Sequence, residues 1–155
     1  MKDYNYSSNG YYFVTICTKE KKLLFGKIDV GANCVRPLTD CGTIVENEIA
    51  VLNNAYENVE VIKYVVMPNH IHMIIAITCG DDGRTQFAPT LSRIIKQFKG
   101  AVTKKIGEQI WQKSFHDHII RNGQSYRKIW RYIDENPLKW HEDCYYTPTD
   151  TVRQM

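Results

Sequence analysis

Two histidines, His70 and His72, flank Ile71 inside the largely apolar run from Tyr64 to Ile77. Successive side chains of a β-strand point to opposite faces, and residues two apart share one. A strand here sets both imidazoles side by side and turns Ile71 into the opposite layer. Neutral imidazole is a common ligand of divalent ions, so an adjacent pair on a rigid strand forms half of a metal site. Alone, such a pair is more often structural than ligating. The other half has to come from another part of the chain.

The segment Ser125 to Asn136 supplies candidates. On a helix, Tyr126, Ile129, Trp130 and Ile133 fall at i, i+3, i+4 and i+7 and make an apolar stripe. Tyr132 lies off that stripe with mostly polar neighbours, so its hydroxyl is expected to meet something wet. Asn136 is one turn further along the same face, just before Pro137. A phenol, a carboxamide and two imidazoles converge if this helix packs beside the histidine strand. Two histidines and an amide oxygen leave open positions on an octahedral divalent ion. A phosphate oxygen held there is polarised, and a tyrosine can attack the phosphorus. A phenol, with a reference pKa of about 10, needs only modest activation and is also a fair leaving group. His116 and His118, across Asp117, form a second H-x-H. They are read as structural or substrate-facing and are assigned no metal. Tyr126, Tyr145 and Tyr146 are rival nucleophiles by residue type only.

Positioning these groups requires a particular order of elements. Tyr11 to Thr18 is aromatic and β-branched and predicts a strand, with a hairpin partner expected at Leu23 to Ile28. Gly31 and Pro37 mark a loop. Thr39 to Asn54 carries apolar residues at helical spacing behind a Thr39/Asp40 cap candidate. Val59 to Val66 and His70 to Ile77 read as strands joined through Met67-Pro68-Asn69, and Cys79 to Phe87 as a polar loop. A basic amphipathic helix is predicted from Pro89 to Ile106, buried along Leu91, Ile94, Ile95, Phe98 and Val102. Trp111 and Phe115 to Ile120 read as extended, and the final helix stops at Pro137. Strand, helix, strand, strand, helix, strand, helix is a split β-α-β order. It predicts an α+β ferredoxin-like sandwich, an antiparallel sheet with an additional C-terminal helix carrying the tyrosine. One domain is expected over residues 1–155, with its core at about 11–140 and a short polar tail.

Composition restricts the function classes. A chain of 155 residues can bury a substantial core, and its apolar runs are too short to cross a bilayer. The opening residues lack the apolar stretch of a signal peptide, which makes a cytoplasmic protein the expectation. Five scattered cysteines with no C-x-x-C pair argue against a disulfide framework or cysteine-held zinc. The net charge of +3 is unevenly spread. Between Thr90 and Tyr132 the cations include Arg93, Lys96, Lys99, Lys104, Lys105, Arg127, Lys128 and Arg131, opposed only by Glu108 and Asp117, while the rest of the chain is net acidic. Lysines can simply solvate a helix face. Beside a site that acts on phosphodiesters, contact with a nucleic-acid backbone is the better expectation. Arg127, Lys128 and Arg131 can assist electrostatically and are given no catalytic role.

The pairing of Pro68-Asn69-His70-Ile71-His72 with Tyr132-Ile133-Asp134-Glu135-Asn136-Pro137 closely resembles the single-tyrosine HUH transposases, and most of all their REP-associated tyrosine transposase branch. Trp111 to Asn122 is similar to the stretch that precedes the tyrosine helix in that family, and the resemblance runs from about Tyr11 to Trp140. It implies a metal-dependent transposase that cleaves and rejoins single-stranded DNA through a covalent 5′-phosphotyrosine. Carried over by position, Tyr132 is the nucleophile, and His70, His72 and Asn136 are ligands of Mg2+ or Mn2+. The implied partner is single-stranded DNA containing a hairpin. The resemblance leaves a monomer and a homodimer both open, and with them a tyrosine acting in cis or in trans. A non-catalytic nucleic-acid-binding regulator on the same fold is the alternative. Relaxases of the wider HUH group usually place the tyrosine before the histidines, contrary to the order here.

Overall fold

A computed structural model describes residues 10–27, 38–78 and 90–140. Four strands and three α-helices follow one another along it: β1 (Gly10–Cys17), α1 (Asp40–Ala55), β2 (Val59–Met67), β3 (His70–Ile77), α2 (Leu91–Ile106), β4 (His116–Ile120) and α3 (Gly123–Glu135). The strands form one sheet in the order β2-β3-β1-β4, with every neighbouring pair antiparallel. This is the ferredoxin-like α+β arrangement expected from the sequence.

The strand period decides what each face buries. Tyr12, Val14 and Ile16 of β1, with Ile71, Met73, Ile75 and Ile77 of β3, turn toward one side. There they meet Val45, Ile49 and Leu52 of α1 and the α2 stripe Leu91, Ile94, Ile95, Phe98 and Val102. The alternate residues face α3, where Ile74, Ile120 and Ile133 pack with Phe13, Ile62, Val65, Tyr126 and Ile129. With a layer on each face, every residue of β3 is buried, as a doubly covered strand requires. Trp130, predicted on the inner stripe of α3, is instead 37% exposed, with Lys63 Nζ 4.3 Å from its ring centroid.

Each helix starts on a side chain that accepts an otherwise orphaned N–H. Thr39 accepts from Gly42, Thr90 from Arg93 and Asn122 from Ser125. Gly107 closes α2 at φ 95°, the left-handed conformation that glycine adopts without steric cost. Glu48, buried on α1, pairs with Lys105 of α2.

The expected hairpin strand at Leu23 to Ile28 does not form within the described residues. Lys19–Lys21 makes a 3-10 turn, Phe25 sinks into the core, and its N–H donates to the Pro68 carbonyl. Both edges of β1 are already taken by β3 and β4, so no ladder position remains for a third partner. The loops at Gly31/Pro37 and Cys79 to Phe87, residue Pro89 and the tail after Trp140 lie outside the described residues. Cys17 and Cys41 are free thiols. Among the described residues, no helix is long and apolar enough to cross a membrane.

Candidate active site

His70 and His72 both point to the α3 side of the sheet, with ring centroids 4.6 Å apart. Each is essentially inaccessible, at 0% and 1% exposure. Neighbouring elements fix both rings through Nδ1. Asn69 Oδ1 lies 2.8 Å from His70 Nδ1, and Thr15 Oγ1 lies 2.8 Å from His72 Nδ1. An amide oxygen only accepts, so His70 carries its proton on Nδ1 and keeps a lone pair on Nε2. A hydroxyl admits either tautomer at His72. This is the support that orients ligating imidazoles in metal sites.

Thr15 arrives by register, standing opposite His72 across the β1–β3 ladder. Asn69 is held by the turn between β2 and β3, where the backbone N–H and hydroxyl of Thr18 both donate to its carbonyl. Burial pushes the His70 pKa well below its ordinary value, and the neighbouring His72 adds to the lowering while Asn136 opposes it. Burial alone lowers His72 to about 3. Both rings are therefore neutral near pH 7, the form that binds a cation.

α3 brings the remaining groups. The Tyr132 ring lies 5.3 Å from that of His72, centroid to centroid, and is 42% exposed. Phe13 stacks on His72 at 5.2 Å and meets Tyr132 edge-on at 6.0 Å, with an interplanar angle of 88°. Asn136 caps the helix, its N–H donating to Ile133. It is buried with its side chain against His70, and its Oδ1 meets no donor at full hydrogen-bond geometry within the described residues. A buried amide oxygen left in this way is costly unless something outside the chain occupies it. Two neutral imidazoles anchored through Nδ1 and one amide oxygen form a borderline donor set that fits a divalent first-row ion and leaves coordination positions open. Among the described residues no three His, Cys, Asp or Glu gather into a metal-holding group, so the third donor of such a site would be this amide.

The other sequence candidates fall in different places. Tyr126 sits against Tyr11 with ring centroids 5.6 Å apart, its phenol pushed up by burial, then by Tyr11 and Glu60. Tyr145 and Tyr146 lie outside the described residues. Arg93, Lys96, Lys99, Lys104 and Lys105 belong to α2, so the sheet separates them from the histidine pair. Lys105 is committed to Glu48, and Lys99 Nζ donates to the Gln112 carbonyl at 2.7 Å. Arg127, Lys128 and Arg131 are exposed on α3, on the same side of the sheet as the histidines. Sequence reasoning missed Phe13 and Thr15, because only the strand register shows that they meet His72. Asn69 had a signal in its position, directly before the first histidine.

Fold and site together define a class: a ferredoxin-like domain that sets a helix tyrosine over a histidine pair of its central strand. No family model matches the chain. An uncharacterized protein of Haemophilus influenzae is 36% identical, over 94% of this chain and 90% of its own length. The REP-associated tyrosine transposase of Escherichia coli K12 is 40% identical over 80 residues, 52% of this chain and 45% of that protein. The match therefore spans about half of that relative. The solved structure of a REP-associated tyrosine transposase bound to a REP hairpin superposes with a TM-score of 0.66 at 26% identity, covering 90% of this chain and 74% of that one. The chain is thus similar to REP-associated tyrosine transposases, in sequence over about half its length and in fold over most of it.

Proposed function

We propose that the protein cleaves and rejoins single-stranded DNA, with Tyr132 as nucleophile. The observation that carries this reading is the convergence of a half-exposed phenol with two neutral, oriented imidazoles and a buried amide oxygen. In the reaction the Tyr132 oxygen attacks a backbone phosphorus. The bond to the 3′ oxygen breaks, that oxygen takes up the proton the phenol gives up, and the phosphate stays on the tyrosine as a 5′-phosphotyrosine. Attack by another 3′-hydroxyl reverses the step and expels the phenolate. One phosphodiester is exchanged for another, so no external energy source is needed. His70, His72 and Asn136 would hold Mg2+ or Mn2+, which when bound supplies Lewis-acid polarisation of a phosphate oxygen. Phe13 fixes the angle of the phenol against His72. The DNA partner is proposed to contain a hairpin, in keeping with the REP hairpin bound by the structural neighbour.

Labelled hairpin-bearing oligonucleotides incubated with the protein and Mn2+ test the proposal on a denaturing gel. A protein-linked band is expected, lost in Tyr132→Phe while DNA binding persists. An undiminished band in that variant removes Tyr132 from the role. The absence of any linked product from the wild-type protein favours a non-catalytic binding module.

A further inference from the structure

α3 covers only part of the sheet face on which it sits. It packs chiefly against β2 and β3, and strand register carries the same face on to the sheet edge. Thr15 stands opposite His72 on one side and His116 on the other, and Phe13 opposite Ile74 and His118. Directly paired residues project to the same side of a sheet. The second H-x-H therefore lies in the plane of the first, two strands away, or about 10 Å. Both its imidazoles are exposed, so neither serves the core. Edge strands are commonly protected by charge, above all lysine. Two histidines with the intervening aspartate turned to the other face fit that purpose poorly.

Because α3 packs on β2 and β3, the part of this face carried by β1 and β4 lies beside the helix, as a trough between it and the rim. Half-buried Phe13 is its floor, touching both His72 and Tyr132. Tyr132 is its inner wall, with exposed Lys128 one turn earlier on the same flank. Tyr11 against Tyr126 closes the end away from the histidine pair.

We propose that this trough seats the single DNA strand passing through the Tyr132 site, with His116 and His118 as positioning residues that grip the strand outside the metal ligands. This rests on the function proposed above and names the protein surface that holds its substrate. The occupant follows from the chemistry. Aromatic floors stack bases of any sequence, cations track phosphates, and imidazole nitrogens hydrogen-bond either.

The test uses the full chain, the double variant His116→Ala/His118→Ala and the double variant His116→Gln/His118→Gln. Two readouts are taken: anisotropy of a fluorescent single-stranded 15-mer, and the oligonucleotide concentration giving half-maximal covalent product with Mn2+. Loss of about one good hydrogen bond's worth of affinity predicts roughly tenfold weaker binding and half-saturation in the alanine variant. Its rate at saturation should stay within about threefold of wild type. Glutamine, which still hydrogen-bonds, should recover most of the loss. Wild-type affinity in the alanine variant overturns the proposal, as does a wild-type chain that does not bind the 15-mer. A collapsed saturating rate restored by excess Mn2+ also overturns it, because the pair would then be metal ligands. A wild-type protein that binds but makes no covalent product defeats the proposed chemistry alone, and the anisotropy comparison still decides the trough.

Discussion

Thr15→Val isolates the support beneath one proposed ligand. Valine keeps the β-branch and nearly the volume of threonine, so the strand and its packing are retained. What disappears is the oxygen 2.8 Å from His72 Nδ1, in a place where Thr15 is 5% and His72 1% exposed. A buried polar atom that loses its partner costs about 1–3 kcal/mol. For a domain of this length each kcal/mol moves the melting temperature by roughly 2–4 °C, so a fall of about 2–12 °C is expected. The ring also loses its orientation, and loss of such a supporting hydrogen bond typically lowers metal affinity about 10–100-fold. Scanning calorimetry of metal-free protein reads the first effect, and calorimetric titration with Mn2+ reads the second. Thr15→Ser, which retains the hydroxyl, should hold its Mn2+ affinity close to wild type. If the valine variant binds Mn2+ as tightly as wild type, Thr15 is a core residue and the metal-site argument for its contact is wrong.

Asn136 and Gly42 yield two further expectations. If Mn2+ binds as proposed, a concentration one hundred times its Kd raises wild-type stability by about 2.7 kcal/mol. A tenfold weaker site in Asn136→Ala leaves about 1.4 kcal/mol at the same concentration. Equal metal-induced shifts in calorimetry would remove Asn136 from the ligand set. In Gly42→Ala the new methyl would stand 2.0 Å from the Phe25 carbonyl oxygen and 3.1 Å from Leu38. Backbone must move to admit it, at about 1–3 kcal/mol or more, and a denaturant midpoint equal to wild type would contradict that close approach.

The chain made some of this architecture readable and hid the rest for identifiable reasons. The alternation in His70 to Ile77 was enough to place both imidazoles on one face, because the strand period is local. The 3.6-residue period likewise separated Tyr132 from the stripe of α3 and aligned Asn136 with it. Phe13 and Thr15 were hidden because cross-strand register depends on the whole sheet. The same ignorance of layers led the α2 cations to be grouped with the site, although α1 and α2 cover the face turned away from the histidines. Leu23 to Ile28 misled because a short apolar run carries a strand signal whether or not a sheet edge is open to receive it.

The central claim is that two imidazoles and an amide oxygen surround one cation beneath the Tyr132 hydroxyl. Anomalous diffraction from crystals grown with Mn2+ measures this directly. The account predicts a single strong peak about 2.0–2.2 Å from His70 Nε2, His72 Nε2 and Asn136 Oδ1. A fully occupied manganese elsewhere, with no density between those three atoms, would contradict it.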